Sequence, residues 1–197
     1  MNAAVFLDRD GVVVEDNGVL ARASDIRIPS DVPRLLAMLS AAGFPLVVIS
    51  NQTVVSRGLL TEGDAIALQH AVEAEIATLG GPMFDGFYYC PHHPNATLPA
   101  YRIDCDCRKP HPGLLHRAAH DLGLDLKRSV FIGDRMSDVA AGHAAGCRTV
   151  LLRSGAHLAP PIEGARVDPS LSPDFACDTL DEAVRWILAH VKHHDRD

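Results

Sequence analysis

The chain has 197 residues, 47% hydrophobic and 22% charged, with 25 acidic against 18 basic side chains and a formal net charge of −7. That length suits one domain whose core can stand without disulfide staples, and an acidic balance with no basic block argues against a nucleic-acid partner. No apolar run approaches the ~20 residues of a membrane span, and Met1 to Leu7 meet Asp8 and Arg9 with no cationic n-region, so no signal peptide is expected and the chain reads as cytoplasmic.

In chain order, the apolar run at residues 4–7 predicts a strand. A helix follows in which Val32, Leu35, Leu36 and Leu39 share a face, with Ser30 as its N-cap and Gly43 as its C-terminal cap. Residues 46–49 predict a second strand. Thr61 and Asp64 form a capping box ahead of Leu68, Val72, Ile76 and Leu79, and Gly80-Gly81 closes that helix. Strands are predicted at 84–89, 130–132 and 149–152. Helices are predicted around Leu114, Leu115, Ala118, Ala119 and Leu122, over 139–145 ending at Gly146, and from Asp178 or Thr179 through Leu180, Val184, Trp186, Ile187, Leu188 and Val191.

Strands this short and uniformly apolar, alternating with helices, predict a doubly wound three-layer α/β domain. Its Rossmann-like parallel sheet would bind ligands beyond the carboxyl ends of the strands. One domain over residues 1–197 is expected, with no large cap domain. Two stretches break the rhythm, 90–112 and 154–173, the second holding Pro160, Pro161, Pro169 and Pro173. Cys147 reads as a small buried apolar residue, and Cys177 stands alone, apart from the clustered cysteines. His111, His116, His120, His143 and His157 have no metal-site spacing, and His190, Lys192, His193 and His194 suit a solvated helix end.

The strand ends carry the chemistry. Asp8-Arg9-Asp10-Gly11 follows the first strand, so two carboxylates project into one crevice while Gly11 lets the chain turn away; a solvated turn would use the same residue types. Ser50-Asn51-Gln52 ends the second strand with hydroxyl and amide donors. Gly133-Asp134, followed by Asp138, ends the fourth, and Lys109-Pro110 precedes a helix. Carboxylates from two strand ends, donors from a third and a lysine suit a hard cation and a phosphate together.

These four motifs, in this order, resemble those of the haloacid dehalogenase (HAD) superfamily phosphatases over roughly residues 5–146. The resemblance implies a Mg²⁺-dependent phosphoric monoester hydrolase. Asp8 would be the nucleophile and Asp10 the general acid and base. Ser50, Asn51 and Lys109 would stabilise the transferring phosphoryl group. Asp8, Asp134 and the backbone carbonyl of Asp10 would hold Mg²⁺. Asp138 would support the site from behind; an acidic residue in the first turn of a helix is the alternative.

Cys90, His92, Cys105 and Cys107 give three thiols and an imidazole, with twelve residues between His92 and Cys105. That set suits a tetrahedral structural Zn²⁺, His93 being the alternative imidazole. The metal would brace the loop at about 90–110 that carries Arg108 and Lys109. Such a loop ahead of Arg108-Lys109-Pro110 resembles the D-glycero-D-manno-heptose 1,7-bisphosphate 7-phosphatases and the related histidinol-phosphate phosphatases. The resemblance implies a small phosphorylated sugar as substrate, with Arg108 on its second phosphate. It further implies contacts from Arg9, from Asp16, Asn17, Gly18 and Val19, and from Gln52, Thr53 and Arg57. Val19 stands where these families carry an aromatic residue, and the interior of Thr53 to Gly58 departs from their pattern. A non-catalytic binding module that keeps the fold is the remote alternative. The residue pattern does not fix an oligomeric state, and a monomer is expected.

Overall fold

The computed structural model describes residues 2–154, 158 and 167–191. The readings made for His157, Pro160, Pro161, Lys192, His193 and His194 lie outside the described residues. Six strands, β1 (Val5–Leu7), β2 (Leu46–Asn51), β3 (Gly86–Cys90), β4 (Val130–Gly133), β5 (Arg148–Leu152) and β6 (Phe175–Cys177), form one sheet in the order β3-β2-β1-β4-β5-β6. Every neighbouring pair is parallel. The connections are carried by α1 (Val32–Ala41), α2 (Thr53–Ser56), α3 (Glu62–Thr78), α4 (Gly113–Leu122), α5 (Met136–Ala145) and α6 (Leu180–His190). Among the described residues no second domain is inserted, and no helix is long and apolar enough to cross a membrane.

Alternation along the buried strands builds three layers. Val5 and Leu7 of β1 face the core made by Leu35, Leu36 and Leu39 of α1, Leu68 and Val72 of α3 and Val184 and Ile187 of α6. Phe6 points the other way, onto Leu114, Leu115 and Ala118 of α4 and Ala141 of α5. The sheet order reverses direction at β1, between β2 and β4, which opens a crevice past the ends of those strands.

Local chemistry explains the boundaries. Thr61 Oγ1 accepts from Asp64 N while the Asp64 carboxylate accepts from Thr61 N, and Thr179 and Glu182 repeat the box at α6. Gly146 caps α5 with φ +82°. The expected cap at Ser30 is corrected to Asp31, because Val32 N bonds back to Pro29 O and Ser30 lies inside that turn. β2 runs on through Ser50 and Asn51, paired with Tyr89 and Cys90 of β3. The third strand starts at Gly86 and includes Cys90, while α2 and β6 were not anticipated.

Candidate active site and metal centres

Asp8 is the residue after β1, its amide bonded to Ile132 O of β4, and Asp134 is the residue after β4. Both side chains therefore reach the same crevice, where Asp138 from the first turn of α5 joins them. One carboxylate oxygen of each lies within 4.8 Å of the others. Two glycines make this approach possible. A β-carbon on Gly11, at φ +88°, would collide with the Asp134 carboxylate, and one on Gly133 would collide with Asp138.

Lys109 enters from the opposite side. Its Nζ lies 2.8 Å from Asp8 Oδ1 and 2.7 Å from Asp138 Oδ1, and donates to Ile49 O at 3.1 Å. Its backbone is clamped by Asn51, whose Oδ1 accepts from Lys109 N and whose Nδ2 donates to Lys109 O, each at 3.1 Å. The Lys109–Pro110 peptide is cis. Burial alone would lower the ammonium, but Asp138 and Asp8 together hold it above its ordinary range. Burial pushes the Asp8 carboxyl up to about 8 against the pull of Lys109, with Asp138, Asp134 and Asp10 adding to the rise. Asp134 is pushed to about 6 by burial and then by Asp138. One ammonium among three buried carboxylates leaves a deficit of positive charge, and Asp134 Oδ1 is buried with no hydrogen-bond partner among the described residues. An all-oxygen set with an unsatisfied carboxylate fits Mg²⁺.

The crevice widens into a cleft of about 370 Å³ lined by Asp8, Arg9, Asp10, Ser50, Asn51, Gln52, Thr53, Arg57, Arg108, Lys109 and Asp138, with Asp16, Gly18 and Val19 at its rim. The structure thus brings most of the predicted residues to one cavity. Asn17 and Asp134 do not line it: the Asn17 amide turns to Glu15 and the residue lines a neighbouring cavity, and Asp134 lies fully buried behind Asp8 and Asp138. The Asp10 carboxylate is held by Arg9 Nε and Nη2 at 3.1 and 3.0 Å, and Gln52 Nε2 donates to Ser50 Oγ at 2.7 Å. Arg108 is buried, donates from Nη1 to His92 O at 2.9 Å, and keeps Nη2 without a partner among the described residues. His93, Arg135 and Ser137 also line the cleft. Arg135, paired with Asp16 at 3.2 Å, directly follows Asp134 in the fourth motif, and that adjacency was its signal.

Behind Arg108 the Cys90, Cys105 and Cys107 sulfurs lie 3.0–3.5 Å apart, with His92 Nδ1 at 3.5 Å from Cys107 and 3.8 Å from Cys90. A tetrahedral zinc site has ligand–ligand edges of about 3.8 Å, so this cluster fits with little movement. The Cys90 contact holds the Cys107 thiol down to about 5, and the same contact and burial push Cys90 up, so one thiolate is already favoured. His92 supplies the imidazole. His93 faces the cleft instead, its Nδ1 accepting from Asn95 N at 3.0 Å.

Comparison with known proteins gives this geometry a context. Residues 106–183 match a family model described as HAD-hydrolase-like. D-glycero-beta-D-manno-heptose-1,7-bisphosphate 7-phosphatase of Escherichia coli K12 is 38% identical over 163 residues, covering 82% of this chain and 85% of that protein. The Yersinia pestis enzyme of the same name is 36% identical, over 96% of this chain and 97% of that protein. The D-glycero-alpha-D-manno-heptose-1,7-bisphosphate 7-phosphatase of Burkholderia mallei is 38% identical, over 77% and 79%. Among solved structures, the D,D-heptose 1,7-bisphosphate phosphatase of B. bronchiseptica, complexed with magnesium and phosphate, superposes with a TM-score of 0.75 at 26% identity, covering 96% of this chain and 99% of that one. With relatives this similar along most of their length, and with the strand-end carboxylates and the lysine gathered at one site, the chain belongs to the heptose 1,7-bisphosphate 7-phosphatase family of HAD-superfamily phosphoric monoester hydrolases.

Proposed function

We propose that this chain removes the C7 phosphate of D-glycero-D-manno-heptose 1,7-bisphosphate through an aspartyl-phosphate on Asp8, acting as a single domain over residues 1–197 with the loop at about 90–110 as an insertion. The observation that carries this reading is that the cleft holds cations beyond the lysine at the nucleophile. Lys109 sits beside Asp8 at the floor, and Arg108, whose Nη2 has no partner among the described residues, lines the same cavity with Arg57. A substrate with two phosphates would engage both.

In the first step an Asp8 oxygen attacks phosphorus, the bond from phosphorus to the sugar oxygen breaks, and that oxygen takes a proton from Asp10. Asp10, at the cleft wall against Arg9, turns from that guanidinium toward the leaving oxygen. In the second step Asp10 takes a proton from water, whose oxygen displaces Asp8 from phosphorus. Lys109, Ser50 and Asn51 hold the phosphoryl oxygens through the transfer. Asp8, Asp134 and the Asp10 carbonyl would hold Mg²⁺, whose charge when bound cancels the repulsion between an anionic nucleophile and an anionic substrate. Cys90, His92, Cys105 and Cys107 would hold a structural Zn²⁺ with no open position.

Phosphate release tests the reading with both anomers of the heptose bisphosphate, the heptose 1-phosphate and histidinol phosphate as substrates. The bisphosphate should give the highest kcat/KM, the 1-phosphate should be inert, and Asp8→Asn should abolish turnover. A kcat/KM for histidinol phosphate orders of magnitude above that for the bisphosphate would overturn it.

A further inference from the structure

Asp134 is completely buried, and its two oxygens have different fates. Oδ2 accepts from the Ser154 hydroxyl at 3.0 Å and fills the space that the missing side chain of Gly11 leaves open. Oδ1 has no hydrogen-bond partner among the described residues. The second torsion of an aspartate is broad and soft, so its own rotamer preference does not choose which oxygen faces the metal position. A hydroxyl on one oxygen does choose.

Ser154 lies outside all four motifs, yet the chain around it is fixed. β5 pairs with β4 in a register that sets Leu151 against Gly133, so the residues just past β5 pass beside Asp134. Arg153 N donates to Cys177 O at 2.8 Å and Arg153 Nε donates to Asp178 Oδ1 at 2.7 Å, which holds the turn from the side of β6. Ser154 N then donates back to Leu152 O at 2.9 Å, closing the turn. The serine hydroxyl is delivered to Asp134 by backbone that is anchored to the end of β5 and, through Arg153, to the end of β6.

We infer that Ser154 is a positioning residue for the metal: its hydroxyl pins Oδ2 of Asp134 so that Oδ1 is presented to Mg²⁺. Hydrogen bonds that orient a ligating group are worth about 10–100-fold in metal affinity. The inference rests on the reading of Asp134 as a Mg²⁺ ligand, and the experiment separates the two.

Full-length, zinc-loaded wild type, Ser154→Ala, Ser154→Thr and Asp134→Asn would be titrated with Mg²⁺ by calorimetry and with Mn²⁺ by electron paramagnetic resonance. The Mg²⁺ dependence of phosphate release would be measured alongside. Ser154→Ala should weaken binding of both ions by roughly 10-fold or more, with most of the kinetic loss in the half-saturating Mg²⁺ concentration and little in kcat. Ser154→Thr, which keeps the hydroxyl, should recover most of that loss. Unchanged binding in Ser154→Ala, alongside lost binding in Asp134→Asn, would overturn the positioning role alone. Unchanged binding in Asp134→Asn would overturn the ligand reading and the inference with it.

Discussion

Three carboxylates share one ammonium at the floor of the cleft, and all four groups are withdrawn from solvent. Before a cation arrives, the cheapest relief is a proton, which is why burial holds Asp8 near 8 and Asp134 near 6. Both groups titrate near 3.8 in an unfolded chain. From about pH 4 to 8, then, the folded metal-free protein keeps protons that the unfolded chain has lost. Their stabilisation is complete below pH 4 and disappears as the pH rises through 6 and 8. In Mg²⁺-free buffer that leaves zinc in place, Tm should fall by ~5 °C or more from pH 5.5 to 8.5. Added Mg²⁺ should recover the loss at pH 8.5 far better than at 5.5, since the ion binds the ionised carboxylates. A melting temperature that climbs over that range without Mg²⁺ contradicts the assignment. Asp8 and Asp134 were legible in the sequence because an acidic residue directly after an apolar strand has one place to point, and Lys109 because Lys109-Pro110 stands just ahead of a helix in the same motif order. Ser154 was not, and His93 was read only as an alternative imidazole and not as a cleft residue, since a polar residue in a long loop carries no periodic signature and acquires a neighbour only when the chain folds.

At the scale of elements, the segment from the end of β3 to the start of α4 depends most on something other than packing. Between Cys90 and Gly113 only Pro91 and Ala96 are buried apolar residues, and Leu98 and Ile103 are exposed. The loop still has to deliver Arg108 and Lys109 to fixed positions. A metal tying β3, through Cys90, to Cys105 and Cys107 replaces the missing core, and Arg108 Nη1 on His92 O carries the constraint into the cleft. Cys105→Ser should therefore purify with little zinc, melt ~5–10 °C lower and lose at least ~10-fold in kcat/KM. Cys177→Ser, buried at the far edge of the sheet, should keep wild-type zinc content. Full zinc retention and full activity in Cys105→Ser would remove the bracing role. The helices visible in advance were those with a cap or a repeated apolar face, the Thr61 and Thr179 boxes and the faces of α1, α3, α4 and α6, while β1 to β5 were visible as short apolar runs. The strand β6 reads Phe175-Ala176-Cys177 just after Pro169 and Pro173, with no β-branched residue to mark an apolar run like that of β1, and α2 is a single turn, too short to show a helical period.

For the whole molecule, the sheet order puts the cysteine cluster and the single tryptophan at opposite edges. Cys90 ends β3, and Trp186 lies on α6, its ring stacked on Phe175 of β6 at 5.2 Å and on His190 at 5.2 Å. Between them, β1 gives Val5 and Leu7 to one core layer and Phe6 to the other, so neither layer can melt without exposing the strand it shares. The single-domain reading then has a direct consequence. In a denaturant titration, fluorescence of Trp186, far-UV ellipticity and release of bound zinc to a chromogenic chelator should trace one transition with one midpoint. The three probes report on one edge, the entire secondary structure and the other edge. Zinc release well ahead of the other two would mean that the loop at 90–110 opens by itself and is held by the metal alone. A tryptophan transition displaced from the ellipticity would mean that β5, β6 and α6 form a separate cooperative unit, and the chain would then divide between α5 and β5, at Gly146 and Cys147.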